Sequence, residues 1–311
     1  MSVAFVFPGQ GSQSVGMQND LAEHYDVVRD TWSEAGDVLG IDLWSLASEG
    51  PAEQLDETVN TQPAMLTAGV ATWRAWQASG GAAPVMMAGH SLGEYSALVA
   101  SGALSFADAV AVVRRRAELM QGAVPAGEGA MAAVLGLDDD ALVAVCEQVS
   151  TRGVAEAVNF NSPGQVVVAG QREAIEVLIE KAREAGARRA ILLPVGVPAH
   201  SSLMRPAGEA LAETIAATAF SDPAVEVVSA VDGIPYKDAA DIRERMQAQV
   251  YSPVRWVDTI QCMTAAGVTS IVECGPGKVL TGLLRRIDRG ITAACLDSSA
   301  AIQSTIDGAS E

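Results

Sequence analysis

A chain of 311 residues, 49% of them hydrophobic, can bury a large core, as one big domain or as two smaller ones. Its net charge of −18 argues against a nucleic-acid-binding surface. No apolar run reaches membrane-spanning length, Met1–Phe7 lacks the basic start of a signal peptide, and neither the cysteines (Cys146, Cys262, Cys274, Cys295) nor the scattered histidines (His24, His90, His200) stand in a ligand spacing, so a cytoplasmic protein with no disulfide and no metal is expected.

Val3–Phe7 reads as a buried strand that ends in a glycine-rich loop, Pro8–Gln13. A dinucleotide fingerprint would need a glycine where Ser14 stands, so the loop instead offers a backbone N–H to a nearby site. Helical periodicity runs from about Leu21 to Leu39, and Ile41 to Leu55 is irregular with short helical turns. Thr61-Gln62-Pro63 predicts a helix start, with Thr61 as cap, proline in the first turn and Gly80-Gly81 as the stop. Next comes a short apolar strand, Pro84–Ala88, and a helical stretch, Leu92–Ala100, closed by Gly102. Between them lies Gly89-His90-Ser91-Leu92-Gly93, a G-x-S-x-G nucleophile elbow in the strand–turn–helix setting it requires. The turn is so tight that Cβ atoms at Gly89 and Gly93 would meet backbone. It lifts Ser91 Oγ into the open and aims the Leu92 N–H at any oxyanion formed there.

Ser105 opens another helix, Phe106 to about Val124, with an apolar stripe that includes Val110, Val113, Ala117 and Met120. Arg114-Arg115-Arg116 crosses it. At about 100° per residue Arg115 points to water, whereas Arg114 and Arg116 sit on the two borders of the stripe, and either could reach a pocket. From Pro125 to Pro194 the pattern is Ala130–Leu135 strand, a helix capped by Asp138-Asp139-Asp140, strands Val154–Asn159 and Gln165–Ala169, helix Arg172–Ala185 and strand Arg188–Leu193. This β-α-β-β-α-β order is ferredoxin-like and reads as a small domain inserted in the large one. The chain returns through Pro194–His200 to helices over Ser201–Ala219, Ile242–Val250 and Pro253–Ala265. Strands over Val225–Val228, Thr269–Cys274 and Ile291–Leu296 are interleaved with them, and a helix spans Val279–Arg286. Residues from about Ser298 are expected to fray.

A serine needs a base, and histidine is the usual one. The side chain of His90 leaves the elbow in another direction, and His24 lies on a polar helix. His200 remains, on a proline- and glycine-marked loop. No acid follows in the order of an α/β-hydrolase, because Asp222 and Asp232 lie beyond His200; a backbone carbonyl or an amide would then orient the imidazole.

Six segments together resemble the bacterial malonyl-CoA:acyl carrier protein transacylases. They are Phe7–Gln13, Gly89–Tyr95, Asn159–Gly164, Val195–His200, Tyr251–Val254 and Glu273–Lys278, in order over nearly the whole chain. The resemblance implies ping-pong transfer of malonyl from CoA, through a serine ester, to the phosphopantetheine thiol of an acyl carrier protein. It implies Ser91 as nucleophile, His200 as base and the N–H groups of Gln10 and Leu92 as oxyanion hole. Arg116 would bind the malonyl carboxylate, and the Gln249 carbonyl would orient the histidine. It also implies a monomer with no cofactor beyond its two substrates. The expected fold class is α/β: a hydrolase-like domain with a parallel sheet (1–125 and 199–311) and a ferredoxin-like insert (126–198).

Three other readings stand beside this one. A paralogue could serve malonate decarboxylation or a polyketide carrier, although Val197-Pro198-Ala199-His200 resembles the free-standing malonyl enzyme. An esterase or thioesterase is disfavoured by the missing acid and by the arginine on the pocket helix. A non-catalytic binding module would leave Ser91 unreactive. Since carrier proteins are acidic, docking on this acidic chain calls for a local basic patch. The candidates are Lys181, Arg183, Arg188 and Arg189 on the insert, and Lys278, Arg285 and Arg286 near the C-terminus.

Overall fold

The computed structural model of the protein describes residues 2–309. Its strands are β1 (Val3–Phe7), β2 (Met86–Gly89), β3 (Gly129–Leu135), β4 (Ala155–Ser162), β5 (Gln165–Gln171), β6 (Arg189–Leu192), β7 (Glu226–Val228), β8 (Ser270–Glu273) and β9 (Thr292–Cys295). They form a parallel sheet in the order β7-β2-β1-β8-β9 and a separate antiparallel sheet in the order β4-β5-β3-β6.

The parallel sheet is buried on both faces, which is why its strands read as unbroken apolar runs. Phe5, Phe7, Met87 and Val272 point to one side, into a core built with helices Thr58–Ala78, Gly93–Ala100, Phe106–Gly122 and Arg205–Ala217. Ala4, Val6, Met86 and Ile271 point to the other, against helices Trp256–Ala265 and Val279–Ile287. The carboxyl ends of β1, β2 and β8 open into the Pro8–Gln13 loop, the elbow and Gly275-Pro276, the edge at which open α/β sheets bind ligands.

In the antiparallel sheet the inserted strands lie in the order fourth, first, third, second. One face carries helices Asp139–Val149 and Arg172–Glu184. The other presents Met131, Val158 and Ala169, with Val167, Leu193 and Val195 beside them. Several contacts fasten it to the rest, two of them close to the site. Phe160 N donates to Val254 O at 2.9 Å and Val254 N to Val158 O at 2.8 Å. Glu156 accepts from the N–H and the hydroxyl of Ser202, each at 2.7 Å, two residues past His200. No helix among the described residues is long and apolar enough to cross a membrane.

Several boundaries differ from the sequence reading. The helical stretch to Leu39 breaks at Tyr25 into Asn19–His24 and Asp26–Leu39. The helix expected to start at Thr61 starts at Thr58, and Pro63 lies inside it. Thr61 is not its cap, because its hydroxyl donates back to Leu55 O. Proline lacks the N–H that would bond the carbonyl four residues earlier. That carbonyl, Val59 O, accepts from Arg114 Nη1 at 3.0 Å instead. Pro253 and Val254 are not helical, because Val254 pairs with the inserted sheet. The tail from Ser298 does not fray where it is described: Ser299–Ala309 is a helix, Ile302 is fully buried and Ser299 N donates to Asp20 Oδ2 at 2.6 Å.

The elbow is tightly packed backbone on backbone. A Cβ built on Gly89 would stand 1.9 Å from the Gly93 carbonyl carbon, and one on Gly93 would stand 2.1 Å from Phe7 O. These atoms are backbone and cannot rotate away. Gly93→Ala is therefore expected to destabilise the protein by about 3 kcal/mol, as overpacking against a rigid neighbour does. Urea unfolding monitored by far-UV circular dichroism measures this, and a loss below about 0.5 kcal/mol would contradict the close approach.

Candidate active site

Ser91 has φ 52° and His200 has φ 66°, both in the left-handed region that side chains other than glycine rarely adopt. Such strain persists only where the surroundings over-determine it. The Ser91 hydroxyl lies 2.6 Å from His200 Nε2. His200 Nδ1 lies 2.9 Å from Gln249 O and 3.1 Å from Ser252 O. Carbonyls only accept, so Nδ1 carries the proton and the Nε2 lone pair faces Ser91. The His200 backbone N–H is held by Val250 O at 3.0 Å. A single 3₁₀ turn, Gln249–Tyr251, thus fixes the histidine from both ends. Carbonyls stand in the place where an acid was missing from the sequence. The Gln249 carbonyl stands where the resemblance implies, and the Ser252 carbonyl is a second acceptor with no signal in the sequence.

Burial, and secondly the neighbouring Arg116 guanidinium, push the His200 pKa down to about 3 from its usual 6.5. The imidazole is therefore neutral at physiological pH and able to accept a proton. Its burial also has a cost below neutrality. With a folded pKa under the unfolded one, its contribution to stability is fully present above about pH 6.5 and is lost as pH falls from there toward 3.

The three arginines separate as the helix requires. Arg115 is half exposed. Arg114 pairs with Glu118 at 2.8 Å and with the carbonyl freed by Pro63. Arg116 is 1% exposed and lines the cleft. Its Nη1 donates to Gln62 Oε1 at 2.7 Å, and its Nη2 reaches Gln249 Oε1 at 3.1 Å and Ser91 Oγ at 3.3 Å. Its Nε has no partner. The acceptors around this cation are neutral, and no carboxylate among the described residues touches it.

Three side chains here escaped the sequence reading. Gln62 reads in the sequence as part of a helix start. Gln249 entered only for its carbonyl, yet its amide also donates to Ser91 O at 2.8 Å and to Glu94 Oε2 at 2.7 Å. Glu94 is fully buried. Its place inside the elbow motif was the one available signal, since a carboxylate in the first turn of a buried helix needs partners.

Gln10 and Leu92 both line the cleft, and neither backbone N–H has a hydrogen-bond partner among the described residues. The Pro8–Gln13 loop passes close to the elbow: a Cβ on Gly9 would lie 2.5 Å from His90 O and 3.7 Å from Leu92 N. Two unsatisfied donors beside a serine hydroxyl suit a developing oxyanion. His90 turns away, as expected, with Nε2 2.7 Å from Asn161 Oδ1 and its ring edge-on to Trp256. His24 is exposed on its helix. Met131 and Val167 of the antiparallel sheet, with Leu193 and Val195 just after β6, line the same cleft.

A serine on an elbow, a neutral imidazole within proton-transfer distance and two free N–H groups are parts suited to acyl transfer. Residues 4–295 match the acyl transferase domain family. The chain is 52% identical over 303 residues to the malonyl CoA-acyl carrier protein transacylase of Salmonella typhimurium, covering 97% of this chain and 98% of that one. It is 46% identical to the Bacillus subtilis protein of the same name over 98% of this chain and 96% of that one. Among solved structures, an acyl-carrier-protein S-malonyltransferase from Burkholderia pseudomallei superposes with TM-score 0.97 at 52% identity, over 99% of this chain and 100% of that one. The chain belongs to the malonyl CoA-acyl carrier protein transacylase family.

The geometry predicts that His200 stays in one neutral tautomer, protonated at Nδ1, from about pH 5 to 8. Imidazole nitrogen shifts in ¹⁵N NMR measure this. A protonation midpoint near 6.5 would contradict the buried, carbonyl-bound histidine.

Proposed function

We propose that this chain transfers malonyl from malonyl-CoA to the phosphopantetheine thiol of an acyl carrier protein by a ping-pong route. Ser91 Oγ attacks the thioester carbonyl as His200 Nε2 takes the hydroxyl proton, and the resulting oxyanion rests on the Gln10 and Leu92 N–H groups. Collapse breaks the carbon–sulfur bond, CoA leaves with the proton from His200, and a malonyl ester remains on Ser91. The carrier thiol then gives its proton to His200 and attacks the ester. Malonyl moves to sulfur and the proton returns to Ser91. No cofactor takes part, and the chain acts as a cytoplasmic monomer.

The observation that carries the reading is Arg116: a buried cation, 3.3 Å from the nucleophile and surrounded by neutral acceptors. Such a site favours an acyl group that brings its own carboxylate. Arginine binds both carboxylate oxygens in parallel and keeps its charge when buried. An esterase would gain nothing from it.

Fatty acid synthesis is the pathway we favour. A solved relative, 47% identical with TM-score 0.98 over 99% of this chain, is a malonyl-transacylase in complex with a type II polyketide acyl-carrier protein. Fold likeness therefore does not separate the two kinds of carrier, and a polyketide carrier is the second reading. The carrier would meet Arg188, Arg189 and Arg285, which make no ion pair among the described residues. Lys181, Arg183 and Lys278 are already paired with Glu184, Glu180 and Asp297, and Arg286 is hydrogen-bonded to Gln165. We further read the parallel sheet as a hydrolase-like domain, 1–125 and 199–311, and the antiparallel sheet as a ferredoxin-like insert, 126–198. The strand order fourth, first, third, second supports the insert.

Losing a charge-assisted carboxylate contact in a partly dry pocket costs on the order of 2–4 kcal/mol, or about 30- to 1,000-fold. Arg116→Ala is expected to lower kcat/KM for malonyl-CoA by that factor while acetyl-CoA is affected little, and Arg114→Ala to leave the malonyl-to-acetyl ratio near wild type. An unchanged ratio in Arg116→Ala, or a collapse confined to Arg114→Ala, would contradict the assignment.

A further inference from the structure

Beneath the cleft a polar chain leads to Arg116 from a carboxylate that the reaction itself does not use. The Glu94 carboxylate is fully buried in the first turn of the elbow helix. Its Oε1 accepts from Ala230 N at 3.0 Å and from the Tyr236 hydroxyl at 2.6 Å, and its Oε2 accepts from Gln249 Nε2 at 2.7 Å. The same Nε2 donates to Ser91 O at 2.8 Å. The other end of that amide, Oε1, accepts from Arg116 Nη2 at 3.1 Å. A glutamine amide can face either way. Here a group that only accepts stands at one end, and a group that only donates stands at the other.

We propose that Glu94 is a positioning residue for acyl selectivity: its carboxylate sets the direction of the Gln249 amide, and that amide holds the Arg116 guanidinium beside Ser91. This rests on the assignment of Arg116 to the acyl carboxylate. The ordering runs one way only. With a carboxylate at 94, Gln249 must turn its NH₂ toward Glu94 and Ser91 O, which leaves its oxygen for Arg116. A glutamine at 94 would break the order. Its NH₂ cannot face Ala230 N–H, since both are donors. Facing Gln249 instead, it would draw the Gln249 oxygen toward itself and turn an NH₂ against the Arg116 guanidinium, and Ser91 O would lose its donor. Burial raises the Glu94 pKa, and the groups donating to it act in the opposite direction. The link also places a negative charge one amide away from Arg116, close enough to help keep a buried guanidinium in place and too far to occupy it.

The test uses the full chain and the half-reaction on CoA substrates, read as kcat/KM for Ser91 acylation by malonyl-CoA and by acetyl-CoA, with the thermal midpoint measured in parallel. Wild type is read first. If it is not acylated by malonyl-CoA, or if Arg116→Ala leaves the ratio unchanged, the functional reading fails independently of Glu94. Given that reading, Glu94→Gln is expected to lower the malonyl-to-acetyl ratio by about tenfold, while acetyl acylation stays within a few-fold of wild type. In combination with Arg116→Ala it should lower the ratio no further. Tyr236→Phe removes a hydrogen bond from the same buried carboxylate and leaves the carboxylate in place, so it should lower the thermal midpoint and keep the ratio. An equal fall for both substrates in Glu94→Gln, an unchanged ratio, or the same ratio change in Tyr236→Phe would overturn the proposal. Should Glu94→Gln not fold, Glu94→Asp, one methylene short of Gln249, carries the test: a lowered ratio supports the proposal and an unchanged one overturns it.

Discussion

The 2.6 Å hydrogen bond between Ser91 Oγ and His200 Nε2 joins residues 109 positions apart, each held in a backbone conformation it would not choose. The rest of the structure is arranged to make that contact. On the serine side, β1 and β2 run parallel in register, Phe7 opposite Gly89, and the turn after Gly89 passes so close to Phe7 O that only glycine fits at position 93. On the histidine side, the turn Gln249–Tyr251 takes up the backbone N–H and, through Gln249, the Nδ1 proton, so the ring has one orientation and one tautomer. No acid among the described residues touches the imidazole. In a site this buried, a carboxylate there would raise the histidine pKa, whereas two neutral carbonyls orient it and leave it neutral.

Charge is distributed with the same economy. The chain carries a net charge of −18, yet its cleft wall presents a buried arginine with no direct anionic partner. A buried unpaired cation is unfavourable unless hydrogen bonds or a ligand compensate it. Gln62 and Gln249 supply two of those bonds, and the Tyr95 ring lies 5.8 Å from the guanidinium. What remains unmatched is one unit of charge and the Nε donor, next to the nucleophile. On the proposed function, a substrate carboxylate answers both.

Much of this was legible in the sequence because it is local. The elbow, Ser91 and the neighbouring Leu92 N–H lie within one short motif, and the insert announces itself by its own order of strands and helices. Periodicity narrowed three arginines to two and the resemblance named Arg116; the fold buries Arg116 and ties Arg114 to Val59 O, the carbonyl that Pro63 leaves without a donor. Gln62 and the Ser252 carbonyl were invisible, for an amide or a carbonyl carries no pattern until the chain brings it to a partner. The start of the helix at Thr58 was missed because Thr61 and Pro63 imitate a cap and a first turn. The tail was expected to fray because its anchor, Asp20, lies at the other end of the chain.

The central claim is a covalent one: malonyl passes through an ester on Ser91. Intact-protein mass spectrometry after incubation with malonyl-CoA, followed by peptide mapping and then by addition of a phosphopantetheinylated carrier protein, tests it most directly. The account predicts one malonyl group, on the peptide that contains Ser91, discharged when the carrier is added and absent from Ser91→Ala. No adduct, an adduct on another residue, or one that persists in Ser91→Ala would contradict it.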